Sequence, residues 1–211
     1  MIKILATLNN KIWTKEEFDT KYSIIPNFII KEILLYKNWQ DRQARILSKL
    51  HIIKQLNMFN FDLNLNDLRK NTFNKPYFNE NFYFSIAHSH QIVVSIASNE
   101  SNVGIDIELV KELKGDYPLD LFSENECAYL SASNNVIYDF YKLFTRKEAL
   151  AKLSGKGMLF DFKNYDVIHD NIYFDGQLFD FITMEYNIDY MISYVIKSNI
   201  YSNKIELMKL D

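Results

Sequence analysis

The chain has 211 residues, a net charge of −3, 48% hydrophobic and 24% charged residues, and a single cysteine, Cys127. The length suits one large domain or two small ones, and the composition is that of a folded chain rather than a disordered one. The charge argues against a broad nucleic-acid-binding surface, and one cysteine excludes an intramolecular disulfide or a cysteine-rich zinc site.

Met1 to Leu8 is expected to form a first strand. It lacks the longer apolar stretch and cleavage site of a secretory signal. No apolar run approaches the roughly 20 residues that span a bilayer, so a soluble, cytoplasmic protein without a membrane partner is expected. Phe28 to Asn57 carries Ile29, Ile33, Leu34, Ile46, Leu50, Ile53 and Leu56 at a rough 3.6-residue period, which predicts helix, divided near Asn38. Leu63 to Asn74 is polar and loop-like. Phe82 to Ala87, Gln91 to Ala97 and Val103 to Val110 predict three successive strands, with turns at His88-Ser89-His90 and Ser98 to Asn102. In the third strand Asp106 and Glu108 are two apart. Their carboxylates share one face while Ile105, Ile107 and Leu109 take the other. Acids in that pattern also occur on solvated strand faces.

Ser123 and Glu126 have the spacing of a capping box and predict a helix start. A longer helix is expected from Val136 to Leu153, with Phe140, Leu143, Phe144, Leu150 and Leu153 as its stripe and Gly155 as its stop. Glu148 and Lys152 share a face of it. Alone, such a pair is ordinary surface chemistry worth roughly 0.2–0.5 kcal/mol. Joined with Asp106 and Glu108, it gives three carboxylates beside a lysine, a seat for a hard divalent cation holding a phosphate. Further strands are expected at Tyr165 to Ile168, Ile172 to Phe174, Gln177 to Tyr186, Tyr190 to Ile196 and Lys204 to Met208, with Asp175-Gly176 as a hairpin turn. The order strand, helices, strands thus occurs twice. The expected fold class is α+β, with two similar halves, 1–102 and 103–211, and an aromatic-rich core from 16 Phe and 14 Tyr.

Three segments, Phe84-Ser85-Ile86-Ala87-His88-Ser89, Val103 to Glu108 and Phe140 to Gly157, resemble in order and spacing the Sfp-type 4′-phosphopantetheinyl transferases. Asn74-Lys75-Pro76-Tyr77 is similar to that family's Lys-Pro segment. The likeness spans Lys75 to Gly157, while residues 1–70 and 158–211 agree in pattern only. It implies a pseudo-dimer of two α+β halves, acting as a monomer, with coenzyme A in the cleft between them. The implied reaction moves the phosphopantetheine arm of coenzyme A onto a serine of an acyl or peptidyl carrier protein. Adenosine 3′,5′-bisphosphate leaves, and Mg²⁺, with Mn²⁺ as an alternative, bridges the pyrophosphate.

The resemblance also implies roles. Asp106, Glu108 and Glu148 would hold the metal, and Glu148 is also the candidate base. Lys152 would contact phosphate and steady the leaving group. His88, Ser89 and Lys75 would contact phosphates of coenzyme A. Arg42 and Arg45 lie near the family's contacts to the 3′-phosphate, with Lys31 a weaker candidate. Lys111 to Phe122, including Leu113, Tyr117, Leu119, Leu121 and Phe122, would help dock the carrier. There Lys111 and Lys114 suit an acidic partner, and Glu112, Asp116 and Asp120 do not. The chain departs from the family at His90, where glycine is common, at Ala87, where serine is common, and at Phe144, where tryptophan is common. Two other functions fit the residues: a Mg²⁺-dependent hydrolase of coenzyme A or another nucleotide pyrophosphate, and a non-catalytic coenzyme A-binding protein.

Overall fold

The computed structural model describes residues 1–112, 118–187, 189–199 and 205–210. Strand β1 (Ile2–Leu8) forms as expected. Helix α1 (Lys15–Ser23) was not anticipated: it starts at a Thr14–Glu17 capping box and has no fully buried residue, so no apolar period announces it. Helices α2 (Asn27–Leu34) and α3 (Trp39–Met58) divide at Asn38, whose side chain accepts from the Gln40 N–H and caps α3. The loop that follows contains β2 (Arg69–Lys70), paired with β3 (Pro76–Tyr77).

Strands β4 (Tyr83–Ser89), β5 (Ile92–Ser98) and β6 (Gly104–Leu109) come next. His88 and Ser89 belong to β4 rather than to the turn. The turn is made by His90 in a left-handed conformation, φ 48°, where a residue without a Cβ has no penalty. Helices α4 (Glu124–Ser131) and α5 (Val136–Ser154) follow, and Gly155 ends α5 at φ 71°. The strand expected at Tyr165 to Ile168 does not form. The carbonyls of Val167 and Ile168 accept from Arg146, and that of Tyr165 from Lys147, so no neighbouring strand takes them. The chain closes with β7 (Asn171–Phe174), β8 (Gln177–Tyr186), β9 (Tyr190–Lys197) and β10 (Ile205–Leu210).

The architecture is mixed α+β, with one four-stranded sheet ordered β10-β1-β5-β4 and another ordered β6-β9-β8-β7. Pairing within both is antiparallel except that β10 lies parallel on β1, from Ile2 opposite Ile205 to Thr7 opposite Leu210. The C-terminal strand therefore completes the N-terminal sheet. The two sheets meet where β4 runs beside β6: Ser85 Oγ accepts from the Ile105 N–H (3.2 Å) and Ser89 Oγ from the Leu109 N–H (3.1 Å). One core joins the sheets through Ile4, Ala87, Ile96, Ile105, Ile107 and Ile192. Ala87 is buried there, so it has no solvated site for a hydroxyl.

Helices α2 and α3 pack on the first sheet, and α4 and α5 on the second. The close seating of α5 depends on Gly104. A Cβ at that position would stand 1.9 Å from the carbonyl oxygen of Ala149. The helix is also held from below. Lys147 is buried against Glu126 (2.6 Å) and donates to the carbonyls of Phe162 and Tyr165. Phe144 stacks on Phe140 with ring centroids 5.8 Å apart, so it keeps an aromatic packing role. Among the described residues no helix is long and apolar enough to cross a membrane.

Candidate active site

Alternation along β6 sends Ile105 and Ile107 into the core and turns Asp106 and Glu108 toward α5. Glu148 and Lys152, one turn apart on α5, come down over them because Gly104 permits the approach. Asp106 is buried. Its Oδ1 accepts from Lys152 Nζ at 2.6 Å, while its Oδ2 is buried with no hydrogen-bond partner. Glu108 Oε2 accepts from Ser89 Oγ at 2.9 Å.

The three carboxylates act on one another. Burial raises the pKa of Asp106, and Lys152 only partly offsets it. Burial, then the charges of Asp106 and Glu148, bring Glu108 up to about 7, against the Ser89 hydrogen bond and Lys152. Burial and the Asp106 charge raise Glu148 as well. Like charges gathered in a low-dielectric cleft carry a free-energy cost that a cation relieves. Among the described residues no three acidic or histidine side chains are drawn together at ligand distance. Lys152 occupies one Asp106 oxygen. The donor set still fits a divalent cation: three hard oxygen donors, one with an oxygen that nothing else satisfies.

Other expected residues divide. His88 is exposed at the cleft, yet its surroundings hold its pKa below the ordinary value: burial first, then Arg45 and Lys152, with Asp41 opposing. It therefore offers a neutral imidazole at pH 7. The Ser89 hydroxyl donates to Glu108 and accepts from Leu109. Lys75 Nζ donates to the carbonyl of Leu153 (3.1 Å), one of the open acceptors at the end of α5, and burial brings its pKa down to about 8. Asn71 ties the same loop to Gly155 O at 3.2 Å. A cavity of about 440 Å³ opens beside Glu148 and Lys152, lined by Lys75 and by apolar Phe73, Pro76, Phe84, Ile86 and Phe162.

Arg45 lies close enough to His88 to act on it, but Arg42 lines a different depression with Trp13 and Trp39, and Lys31 is exposed on α2. In the segment expected to dock a carrier, Phe122 is a core residue and Leu121 packs against that core, while Lys111, Glu112, Leu119 and Asp120 are exposed. Leu113, Lys114, Asp116 and Tyr117 lie outside the described residues. Lys49 lies four residues after Arg45 on the same helix face.

Residues 102–181, which include Asp106, Glu108, Glu148 and Lys152, match the family model of the 4′-phosphopantetheinyl transferase superfamily. The chain is 36% identical over 129 residues to the 4′-phosphopantetheinyl transferase gsp of Aneurinibacillus migulanus, which covers 58% of this chain and 53% of that protein. It is 24% identical over 177 residues to the 4′-phosphopantetheinyl transferase ffp of Bacillus subtilis, covering 81% of this chain and 78% of that one. The match to the first of these spans about half of that relative's length. The resemblance found in the sequence is borne out by these three matches.

Proposed function

We propose that this protein is a 4′-phosphopantetheinyl transferase that moves the phosphopantetheine arm of coenzyme A onto a serine hydroxyl of an acyl or peptidyl carrier protein. The observation that carries the reading is Asp106, with one oxygen on Lys152 and the other buried without a partner, its charge felt by both Glu108 and Glu148. The family match over the segment that supplies these four residues supports it. In this account Asp106, Glu108 and Glu148 hold Mg²⁺, or Mn²⁺ in its place, and the bound ion neutralises charge on the pyrophosphate.

The remaining roles belong to the chain's own side chains. The carrier serine oxygen bonds to the phosphorus attached to the pantetheine arm, and the bond from that phosphorus to the bridging oxygen breaks. The serine proton passes to Glu148, directly or through water, and its raised pKa suits that task. Lys152 steadies charge on the departing adenosine 3′,5′-bisphosphate. His88 donates an N–H to a phosphate oxygen. Ser89 keeps Glu108 oriented through its hydroxyl. Lys75 closes the end of α5 and borders the apolar cavity, which can take an uncharged part of coenzyme A. The same reading makes the protein a cytoplasmic monomer and a pseudo-dimer of halves 1–102 and 103–211, with the site where they meet.

The test is release of adenosine 3′,5′-bisphosphate from coenzyme A in the presence of Mg²⁺, followed by chromatography with and without an apo carrier protein. Release that requires the carrier is expected. Equal release without any carrier would turn the reading toward hydrolysis.

A further inference from the structure

We propose that the buried hydroxyls of Thr145, Ser193 and Thr183, ended by Arg146, position Glu148 by fixing the register of α5 over its sheet. Thr145, Glu148 and Lys152 stand at i, i+3 and i+7 on α5 and share one face. Strands β6, β9 and β8 set Asp106, Ser193 and Thr183 directly opposite one another, in one row on one face of the sheet. Lys152 meets that row at Asp106 (2.6 Å), and Thr145 meets it at Ser193, with the two hydroxyl oxygens 2.7 Å apart. Ser193 Oγ in turn lies 2.9 Å from Thr183 Oγ1. Arg146 closes the row. Its Nε donates to Thr183 Oγ1 at 2.9 Å, its Nη1 to the carbonyls of Val167, Ile168 and His169, and its Nη2 to Asp170.

Each hydroxyl proton in the row has a place. A guanidinium only donates, so Thr183 accepts from Arg146 and gives its own proton to Ser193. Thr145 donates to the Tyr141 carbonyl one turn back, at 2.8 Å, which leaves Ser193 to donate to Thr145. Thr145 and Ser193 are fully buried and Arg146 nearly so. They touch no substrate and act only through the helix. Such bonds are directional, whereas Gly104 admits the backbone of Ala149 without fixing its slide or rotation. Two polar contacts therefore hold this face of α5 to the row: Lys152 on Asp106, and Thr145 on Ser193. The first is not permanent in the transferase reading, on which this inference rests. There Asp106 turns to the metal and Lys152 to phosphate. The hydroxyl row then keeps Glu148 aimed.

Thr145→Val replaces the hydroxyl with a methyl of similar shape, while Thr145→Ser keeps the hydroxyl and removes the methyl. A residue that only fills space is hurt by the second change, and one that anchors through its hydroxyl by the first. Hydrogen–deuterium exchange of the amides of residues 145–152 in the free protein reads the seating of the helix. Mn²⁺ titration with coenzyme A but no carrier, followed by the paramagnetic resonance of the free ion, reads the carboxylates without turnover. Thr145→Val should speed exchange and weaken Mn²⁺ binding, each by about 10-fold or more, as losses of groups that orient metal ligands do. Ser193→Ala should do the same, and Thr145→Ser should stay near wild type in both. If the wild type binds no Mn²⁺ but exchange still separates Thr145→Val from Thr145→Ser, the anchor stands and the metal reading falls. Equal exchange in those two variants, or faster exchange with unchanged Mn²⁺ binding, would mean that the row only packs the core.

Discussion

At the scale of single residues, Asp106 concentrates the functional argument. A buried carboxylate with one oxygen on a lysine and the other on nothing is poor design for stability alone. Asp106→Ala should therefore lower transfer by about 100-fold or more while the melting temperature stays level or rises. A near-normal rate would take Asp106 out of the metal site. His51 supports a different prediction. It is fully buried on α3, with Nε2 2.8 Å from Thr7 Oγ1 and Nδ1 3.0 Å from Ser95 Oγ, and burial brings its pKa down from 6.5 to about 4. The folded state keeps His51 neutral, so the unfolded chain binds the extra proton below pH 6.5. Its contribution is fully present above pH 6.5 and is lost as pH falls toward 4, roughly 3 kcal/mol in all. Urea titrations at several pH values should show a steeper acid loss in wild type than in His51→Gln, and parallel curves would contradict this. The spacing of the acids was legible in the sequence because a strand and a helix impose fixed periods. The partners of Ser89 and Lys75 were not, because Glu108 and Leu153 reach them only through folding.

At the scale of elements, the seating of α5 on β6 sets the site, and Gly104 sets the seating. In Gly104→Ala the new methyl would meet backbone, which cannot rotate aside. The helix must lift, at a cost of about 1–3 kcal/mol. Glu148 and Lys152 would move with it, and a shift near 1 Å can reduce a rate about 100-fold. Loss of activity exceeding the loss of folded protein, measured by kinetics and melting together, is the expected result. A variant with lower stability but an unchanged rate per folded molecule would deny that the seating positions the site. Elements with a strong apolar period were predictable, including the break at Asn38. Helix α1 escaped because it buries nothing fully, although Thr14 and Glu17 spell its cap. The strand expected at Tyr165 to Ile168 failed because Arg146 and Lys147 capture its carbonyls, a tertiary event that alternation does not encode.

At the scale of the whole molecule, two four-stranded sheets share a core and meet along β4 and β6. His88 and Ser89 come from one side of that seam and Asp106 and Glu108 from the other. The repeated order of elements predicts two halves, 1–102 and 103–211. It gave no sign that β10 would return to lie parallel on β1, a pairing between opposite ends of the chain. Asp106 and Glu108 on β6, Glu148 and Lys152 on α5 and His88 on β4 border this seam, and it is this set that we propose transfers phosphopantetheine. The most direct measurement is the intact mass of an apo acyl carrier protein after incubation with this protein, coenzyme A and Mg²⁺, alongside an EDTA control. The account predicts a gain of one phosphopantetheine group that EDTA abolishes. No gain on any of a panel of acyl and peptidyl carrier proteins would contradict it.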